Sequence, residues 1–482
     1  MSITSALSNA VSGLNATSRA AEIVSSNVAN AMTEGYGKRE ISLSSRTTGN
    51  MGGVQVNAEQ RMVDKGLISD RRLSQAELGY SATQADFLNG LEKTIGVPGE
   101  PGSLTDTYAR FEASLLAASS QPDSNARLSN VFEAADDVVN SLNGLNDAVQ
   151  LARVEADAAI SKDVDRLNTT LQQVADLNSQ IQRHTISGLP TSALLDERQK
   201  AVDSIAEIVP IKELPRDNNQ VALITTGGAQ LVDGVAAQIE FSPTPTIVAG
   251  MTVEAGSVGR LVLNGREIDG LSGSLRGGSL AANFSIRDDL AVTAQNQVDA
   301  LAQDLIERFQ DPNVDPTIGA AGLGLFTDRS VSFDPMNTDG IAERITVNAA
   351  VDPSQGGDIT RLRDGVGATT AGPSGDGTQL ISYHDALIAS RSSSSSALTT
   401  SSRSASGFVS EMLSSISTQR QYTEADQSFA ASRTNSLRDL EIASGVNTDE
   451  EMQKLLLIEQ NYAANARVIQ TIDELMQQLI RL

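Results

Sequence analysis

Residues 3–28 read ITSALSNAVSGLNATSRAAEIVSSNV, and this stretch decides the fold. Alternating steps of four and three select side chains that are apolar in all but one case: Ile3, Leu7, Ala10, Leu14, Thr17, Ala21, Val24 and Val28. That spacing places them along one side of a helix, as in a coiled-coil heptad. Gly35 follows as a left-handed stop signal, so we predict a first helix that needs a partner.

The last part of the chain carries a second seam with the same spacing. Its members are Leu455, Ile458, Tyr462, Asn465, Ile469, Ile472, Met476 and Leu479. Asn465 is the one polar member, and a lone Asn in such a seam fixes the register at some cost in stability. We therefore predict that the two chain ends pair as coiled-coil helices.

Between the ends, the pattern changes from helix to strand and back. Helical spacing covers 62–95, 104–184, 285–309 and 408–442. Short apolar runs at 221–225, 236–241, 246–248, 261–263 and 345–347 are strand candidates, and Asn264-Gly265 is a hairpin turn signal. The Ser-rich stretch 390–407 favours a linker or a frayed helix over an exposed helix face.

These patterns predict a mainly α fold with an inserted β-rich region, terminal coiled-coil helices, a helical bundle domain and an outer β-rich domain. The expected domains are an N-terminal coiled-coil helix at 1–37 that pairs with 445–482, bundle segments at 38–205, 284–310 and 380–444, a β-rich outer domain at 206–283, a β- and loop-rich outer segment at 311–379, and the C-terminal coiled-coil helix at 445–482.

Composition narrows the function. The formal net charge of −24 disfavours nucleic acid as a partner, and no Lys/Arg cluster is expected to reverse it locally. The chain has no cysteine, which excludes disulfides and thiolate metal sites. No apolar run approaches the length of about 18 residues that a membrane span needs, so no membrane partner is expected. The first residues lack the charge and apolar core of a cleavable signal peptide.

Candidate chemistry is sparse. Asp311, Asn313 and Asp315 begin like a calcium loop, but Pro316 and Gly322 occupy the positions that require Gly and Glu. The two histidines, His184 and His384, cannot build a zinc site unaided, and His184 is expected to cover a helix end. The acidic pairs at 136–137 and 288–289 are expected to face solvent. We predict no enzyme, no cofactor and no metal.

Several motifs resemble a known family. SGLNA at 12–16, SNVAN at 26–30 and Gly35-Tyr36 are similar to the N-terminal signature of flagellar rod, hook and hook-associated proteins. SGVNTDEE at 444–451, QNYAANARVI at 460–469 and Asp473-Glu474 resemble the hook-associated branch of that axial protein family. RGG at 276–278, Arg287-Asp288, QVDALA at 297–302 and LGLF at 323–326 agree with its central region.

The resemblance implies a structural subunit of the bacterial flagellum at the junction of hook and filament, needed for filament assembly and exported through the type III apparatus to an extracellular position. Implied partners are further copies of itself, the hook subunit, the second junction protein and an export chaperone near the C-terminal helix. The implied assembly interface comprises Ile3, Leu7, Ala10, Leu14, Ala21, Val24, Asn27, Val28, Asn30, Leu455, Ile458, Tyr462, Asn465, Ile469, Ile472, Met476 and Leu479.

Three alternatives stay open at this point. The first is another axial protein, such as hook or distal rod. The second is a secreted surface module with a binding or hydrolytic site in its β-rich insert. The third is an intracellular helical scaffold.

Overall fold

The computed structural model describes residues 3–46, 52–319, 322–398 and 401–481, apart from the side chain of Leu479. The helices are α1 (Ile3–Asn30), α2 (Lys65–Ile95), α3 (Leu104–Ser119), α4 (Asn125–Ile186), α5 (Ser192–Asp203), α6 (Gly278–Ser285), α7 (Ala291–Phe309), α8 (Ile341–Arg344), α9 (Arg361–Asp364), α10 (Thr378–Ile388), α11 (Ala405–Ser444) and α12 (Thr448–Arg481). A π-helical turn, Ile286–Leu290, joins α6 to α7.

The strands are short and antiparallel. They are β1 (Lys38–Ser45), β2 (Val54–Met62), β3 (Ile211–Pro215), β4 (Val221–Thr225), β5 (Gln230–Asp233), β6 (Val235–Ala236), β7 (Ile239–Glu240), β8 (Leu261–Leu263), β9 (Arg266–Ile268), β10 (Phe326–Asp328) and β11 (Ile345–Val347). They form four sheets, ordered β1-β2, β3-β4-β5-β6, β7-β8-β9 and β10-β11. The predicted mainly α fold with a β-rich insert and long terminal helices is confirmed.

Helix α4 has 62 residues and spans about 93 Å at 1.5 Å per residue. Its first half lies in one hydrophobic core and its second half in another. One continuous helix therefore connects the two cores, which together we call the body. The helix restrains rotation of one core relative to the other.

The first core gathers α3, the first half of α4, α7, α10 and the start of α11. At its centre, the ring centroid of Phe309 lies 6.0 Å from that of Phe111, 5.1 Å from that of Phe326 and 5.3 Å from that of Tyr383. All four aromatic side chains are buried. Aromatic rings at these distances add to the stabilisation that burial of their area gives.

The second core places the two larger sheets against α5, α6 and the second half of α4. Strands β8 and β9 are joined by the predicted turn, in which Asn264 has φ 49° and Gly265 has φ 76°. Two consecutive residues with positive φ are typical of a type I′ hairpin turn, which confirms that prediction.

Two pairs of antiparallel helices lead away from the body. Helix α2 packs along α11, with Ser74 Oγ 2.9 Å from Thr434 Oγ1 near one end and Ser417 Oγ donating to Glu92 Oε1 near the other. The second pair is α1 and α12, and the β1–β2 hairpin lies along α1. We call α1, the hairpin and α12 the terminal module.

Several expectations differ from the structure. The predicted helix over 104–184 is broken at 120–124, where Pro122 cannot continue α3. Residues 246–248 form no strand, and residues 38–45 and 54–62 form the hairpin rather than part of the helical bundle. The Ser-rich stretch agrees with the expectation of a linker, because it is not helical over 390–398 or 401–404.

The segment 311–379 is not an outer segment. Phe326, Ile341, Val351 and Leu362 are fully buried in the first core. Its apolar side chains follow neither a helical nor a strand period, because the backbone is a series of turns with short helices and strands. The described part of this segment packs against the helical bundle as irregular structure.

Candidate assembly interface at the chain ends

Asn27 is the polar centre of the terminal module. Its side chain is fully buried on α1, and all of its hydrogen-bonding groups are used. Nδ2 donates to Arg39 O and to Glu451 Oε2, both at 2.9 Å, while Oδ1 accepts from Tyr36 Oη at 2.9 Å and from Arg39 N at 3.0 Å. A buried amide needs such partners, and here they tie α1 to β1 and α12. This is a packing reason for an Asn in the SNVAN segment.

Glu451 receives this bond in the first turn of α12. Asn447 precedes the helix and accepts from Asp449 N at 3.0 Å, so it caps α12. Burial acts to raise the pKa of Glu451, but hydrogen bonds from Asn27 and Lys454 outweigh it and hold that pKa below the ordinary glutamate value. The carboxylate is therefore kept charged in a buried position.

A second contact fixes the register of α1 on α12. A Cβ atom placed on Gly13 would lie 2.8 Å from Asn465 Nδ2, so the amide of Asn465 packs directly on the Gly13 backbone. From Gly13 to Asn27 is 27 − 13 = 14 residues, and from Glu451 to Asn465 is 465 − 451 = 14 residues. The two contacts lie two heptads apart in opposite chain directions, which makes the pairing antiparallel.

The predicted interface residues divide into three groups by burial within one subunit. Buried side chains are Ala10, Val24, Asn27 and Ile472. Partly buried side chains are Ile3, Leu7, Leu14, Ala21, Val28, Asn30, Leu455, Ile458, Asn465 and Ile469. Tyr462 and Met476 are about half exposed, and the side chain of Leu479 lies outside the described residues. The Asn30 side chain donates to Ser26 O at 2.9 Å and accepts from Thr33 Oγ1 at 3.4 Å, so its hydrogen bonds stay at the end of α1.

An apolar stripe of α12 remains in solvent. Leu457, Val468 and Leu475 are 60%, 45% and 47% exposed. Steps of 11 and 7 residues return to nearly the same angle around an α-helix, so these side chains share one face beside the seam. Exposed apolar side chains that share one helix face are candidates for contact with another molecule.

Comparisons with known proteins agree with this arrangement. The family model for the flagellar hook-associated protein FlgK helical domain matches residues 88–315. The models for the flagella basal body rod protein and the C-terminal part of the flagellar basal body rod FlgEFG proteins match residues 7–36 and 443–482. Flagellar hook-associated protein 1 of Escherichia coli (strain K12) is 24% identical, with 100% of both chains covered. The chain is therefore similar to flagellar hook-associated protein 1 along its whole length.

Two further relatives of the hook-associated protein 1 family are similar. The Bacillus subtilis (strain 168) protein is 24% identical over 98% of this chain and 97% of its own. The solved structure of the flagellar hook junction protein FlgK from Burkholderia pseudomallei aligns with a TM-score of 0.45 and 19% identity over 54% of this chain. The match covers 46% of that solved chain, which is less than half of its length. These similarities support a structural role in the flagellar axis.

A charged cluster anchors the terminal module to the body. Asp196 of α5 accepts from Gly37 N at 3.0 Å, from Arg61 Nε at 2.6 Å and from Arg39 Nη2 at 3.2 Å. The carboxylate thereby binds both strands of the hairpin and the turn before it. Because these groups are largely buried, removal of one partner would leave others uncompensated.

Sequence reasoning did not assign roles to Glu451, Tyr36 or Asp196. Asn447 followed by three acidic residues was a readable helix start, which would have pointed to Glu451. Nothing local distinguishes Asp196 from other helical carboxylates, because its partners come from residues far away in the chain.

The remaining sequence candidates are structural. Asp315 accepts from Tyr383 Oη at 2.7 Å and Val366 N at 2.9 Å, so it organises turns in the first core. His184 Nδ1 lies 3.1 Å from Pro190 O at the end of α4. The expectation that Asp288 faces solvent is wrong, because it pairs with buried Arg287 at 2.7 Å.

Within the described ranges, no group of three or more His, Cys, Asp or Glu residues is placed to hold a metal ion. The helices of the same ranges also include none with the length and hydropathy of a membrane span.

Proposed function

We propose that this protein is the structural subunit that joins the flagellar hook to the filament, and that filament assembly depends on it. The observation that carries this proposal is the exposed apolar stripe of α12 beside a half-buried α1–α12 seam. Similarity to flagellar hook-associated protein 1 directs the proposal to the hook–filament junction rather than to an unrelated helical assembly.

The stripe supports an open helical assembly. Burial of Leu457, Val468 and Leu475 removes apolar area from water at roughly 25 cal/mol per Å². In one subunit these side chains are about half exposed, as are Tyr462 and Met476 on the seam. The stripe and the seam lie on different faces of α12. A neighbouring subunit that covers the stripe of one copy therefore still exposes its own stripe to the next copy. Such a heterologous contact continues around and along a tube.

The proposed partners follow from that position. They are further copies of this chain, the hook subunit on one side and the second hook–filament junction protein on the other. A flagellar export chaperone near α12 would cover the same stripe before assembly. We also propose that the protein leaves the cell without a cleaved signal peptide and acts without catalysing a reaction. The match of the helical domain over 88–315 favours the hook-associated branch over hook or distal rod.

Deletion of the gene tests the proposal. We expect hooks of normal length that lack filaments, seen by electron microscopy, and filament protein released into the medium. Normal filaments on the deletion strain would contradict the junction role.

A variant with Leu457, Val468 and Leu475 changed to Ser separates the stripe from the rest of the chain. We expect a folded, exported subunit that fails to hold filaments. A matched control changes exposed Leu116, Leu151 and Val331 of the body to Ser, and should swim normally. Loss of motility in both variants would show that the stripe has no special role.

A further inference from the structure

A polar cleft lies where the terminal module meets the body. Its volume is about 530 Å³, and its walls are the end of β2, the start of α2, one face of α5 and the loop after β3. It is separate from the apolar stripe of α12, and the assembly described above makes no use of it.

The cleft gathers basic residues in an acidic chain. Its walls carry five cationic residues, Arg61, Lys65, Arg72, Arg198 and Arg216. They carry two acidic ones, Glu59 and Glu213. Whether the cleft can hold an anion depends on which of these cations have no carboxylate partner.

Three of the five cations are neutralised by carboxylates of the same chain. Arg61 pairs with Asp196 at 2.6 Å, Arg72 with Asp203 at 2.6 Å and Arg216 with Asp233 at 2.8 Å. Among the described residues, neither Lys65 nor Arg198 forms an ion pair. These two charges are therefore available to a ligand.

Arg198 is the more informative of these two residues, because only 8% of its surface is exposed to solvent. Its Nη1 donates to Asn178 Oδ1 at 2.9 Å and to Asn219 O at 2.7 Å. The Nε and Nη2 atoms of Arg198 donate to no described acceptor, and both remain accessible to solvent. Burial, partly opposed by Glu213, lowers the pKa of Arg198 to about 10. A buried guanidinium without a carboxylate is costly unless a counter-ion completes it.

The N-terminus of α5 opens into the same cleft. The cap residue Thr191 makes no side-chain hydrogen bond to the first turn of this 12-residue helix. Thr191, Ser192, Leu195 and Arg198 all line the cleft, so one face of α5 presents free N–H groups and a guanidinium together. Uncapped helix N-termini bind anions through these groups and the helix dipole.

We propose that this cleft binds a carboxylate side chain from a second copy of the chain when subunits assemble, with Arg198 and the N-terminus of α5 as donors and Lys65 at the mouth. This inference rests on the proposed function for the presence of a neighbouring copy. The chain carries 60 acidic and 36 basic residues, so neighbouring copies bring an excess of carboxylates to the mouth. A planar guanidinium is well matched to a carboxylate.

Citrate titration of the purified full-length subunit tests the donor set. We expect saturable binding at constant ionic strength, and binding about tenfold weaker in Arg198→Gln, because one charge-assisted hydrogen bond is lost. Lys65→Gln, at an exposed position, should bind about threefold more weakly and guards against misfolding of the first variant. Arg260→Gln, a distant exposed arginine, is the matched control and should bind like the wild type.

Carbodiimide cross-linking of isolated flagella tests the source of the carboxylate. The reagent joins an amine to a carboxylate in direct contact, so we expect a link from Lys65 to Asp or Glu of a second copy, identified by mass spectrometry. Lys65→Arg keeps the charge but should abolish that link, whereas Lys162→Arg on exposed α4 should not.

The outcomes separate the alternatives. A link to a second copy with citrate binding through Arg198 supports the proposal. Citrate binding without that link, or a link to the hook subunit, overturns the second-copy source. Citrate binding that is absent, or equal in wild type and Arg198→Gln, overturns the cleft as an anion site. An immunoblot of the same flagella shows whether the subunit is present. An absent cross-link in flagella that contain the subunit is thereby distinguished from failure of the subunit to assemble at the junction.

Discussion

The body and the terminal module of this protein bury their apolar side chains to different extents. In the first core, Phe309 is completely buried between three other rings. On α12, Tyr462 and Met476 lie in the seam, yet each remains about half exposed. The body therefore completes its packing within one chain, whereas the terminal module needs neighbours to complete its own.

Their buried carboxylates differ as well. Burial raises the pKa of Asp299 in α7 and of Asp163 in α4. For Glu451 in the terminal module, bonds from Asn27 and Lys454 outweigh burial and lower the pKa. The buried charge is thus stabilised by its partners at the chain ends and penalised by burial at these two positions of the body, so acid should affect the two regions differently.

The largest effect is expected from removal of the central ring of the body. Phe309→Ala should lower the free energy of unfolding by about 3–5 kcal/mol, because it leaves a cavity among packed aromatic side chains. Urea denaturation of the purified subunit measures this. Phe429→Ala, at a 69% exposed position on α11, is the control and should change stability by less than about 0.5 kcal/mol. Equal effects would remove the distinction on which the comparison depends.

Loss of the Asn27 amide should release the chain ends without harming the body. We expect Asn27→Ala to weaken α1–α12 docking by about 2–3 kcal/mol, since its partners become unsatisfied. Because the chain lacks cysteine, Ser18→Cys and Gln460→Cys can carry pyrene labels on exposed positions of α1 and α12, whose excimer reports docking. Asn30→Ala should leave the excimer unchanged. Concerted loss of excimer and body unfolding would contradict separate stability.

Acidification should also weaken the docking of α1 on α12, but by less than Asn27→Ala does. The folded pKa of Glu451 lies below its unfolded value, so its charge stabilises docking above about pH 4.3 and this stabilisation is lost as pH falls through the folded pKa. Asp299 and Asp163 have raised pKa values, so acidification relieves their burial penalty and does not weaken the body through them. We expect the excimer to fall below pH 4.3 before the body unfolds. Glu451→Gln should remove that pH dependence.

The smallest effect is expected at the Gly13–Asn465 contact. Gly13→Ala gains about 1 kcal/mol of helix propensity but must displace the Asn465 amide, so the net change in docking should stay below about 1 kcal/mol. The double variant with Asn465→Ala removes the crowding. It should be about 1 kcal/mol more stable than the sum of the single variants. Additivity in the excimer assay would show that the two residues do not touch.

Sequence reasoning identified what periodicity encodes. The seams on α1 and α12, the limits of α2 and the Asn264-Gly265 turn are all local patterns that survive folding. The segment 311–379 was misplaced because Phe326 and Ile341 are buried by irregular turns, which leave no period to detect. Asn27 was named among the expected interface residues, but its partner could not be predicted, since no spacing rule connects it with Glu451.

That bond joins residues 424 positions apart. Asn27 is synthesised before the body and Glu451 after it. A chain that lacks either residue cannot form this bond, however well its body folds. Docking of α1 on α12 through Asn27 and Glu451 therefore requires that translation has passed the whole body.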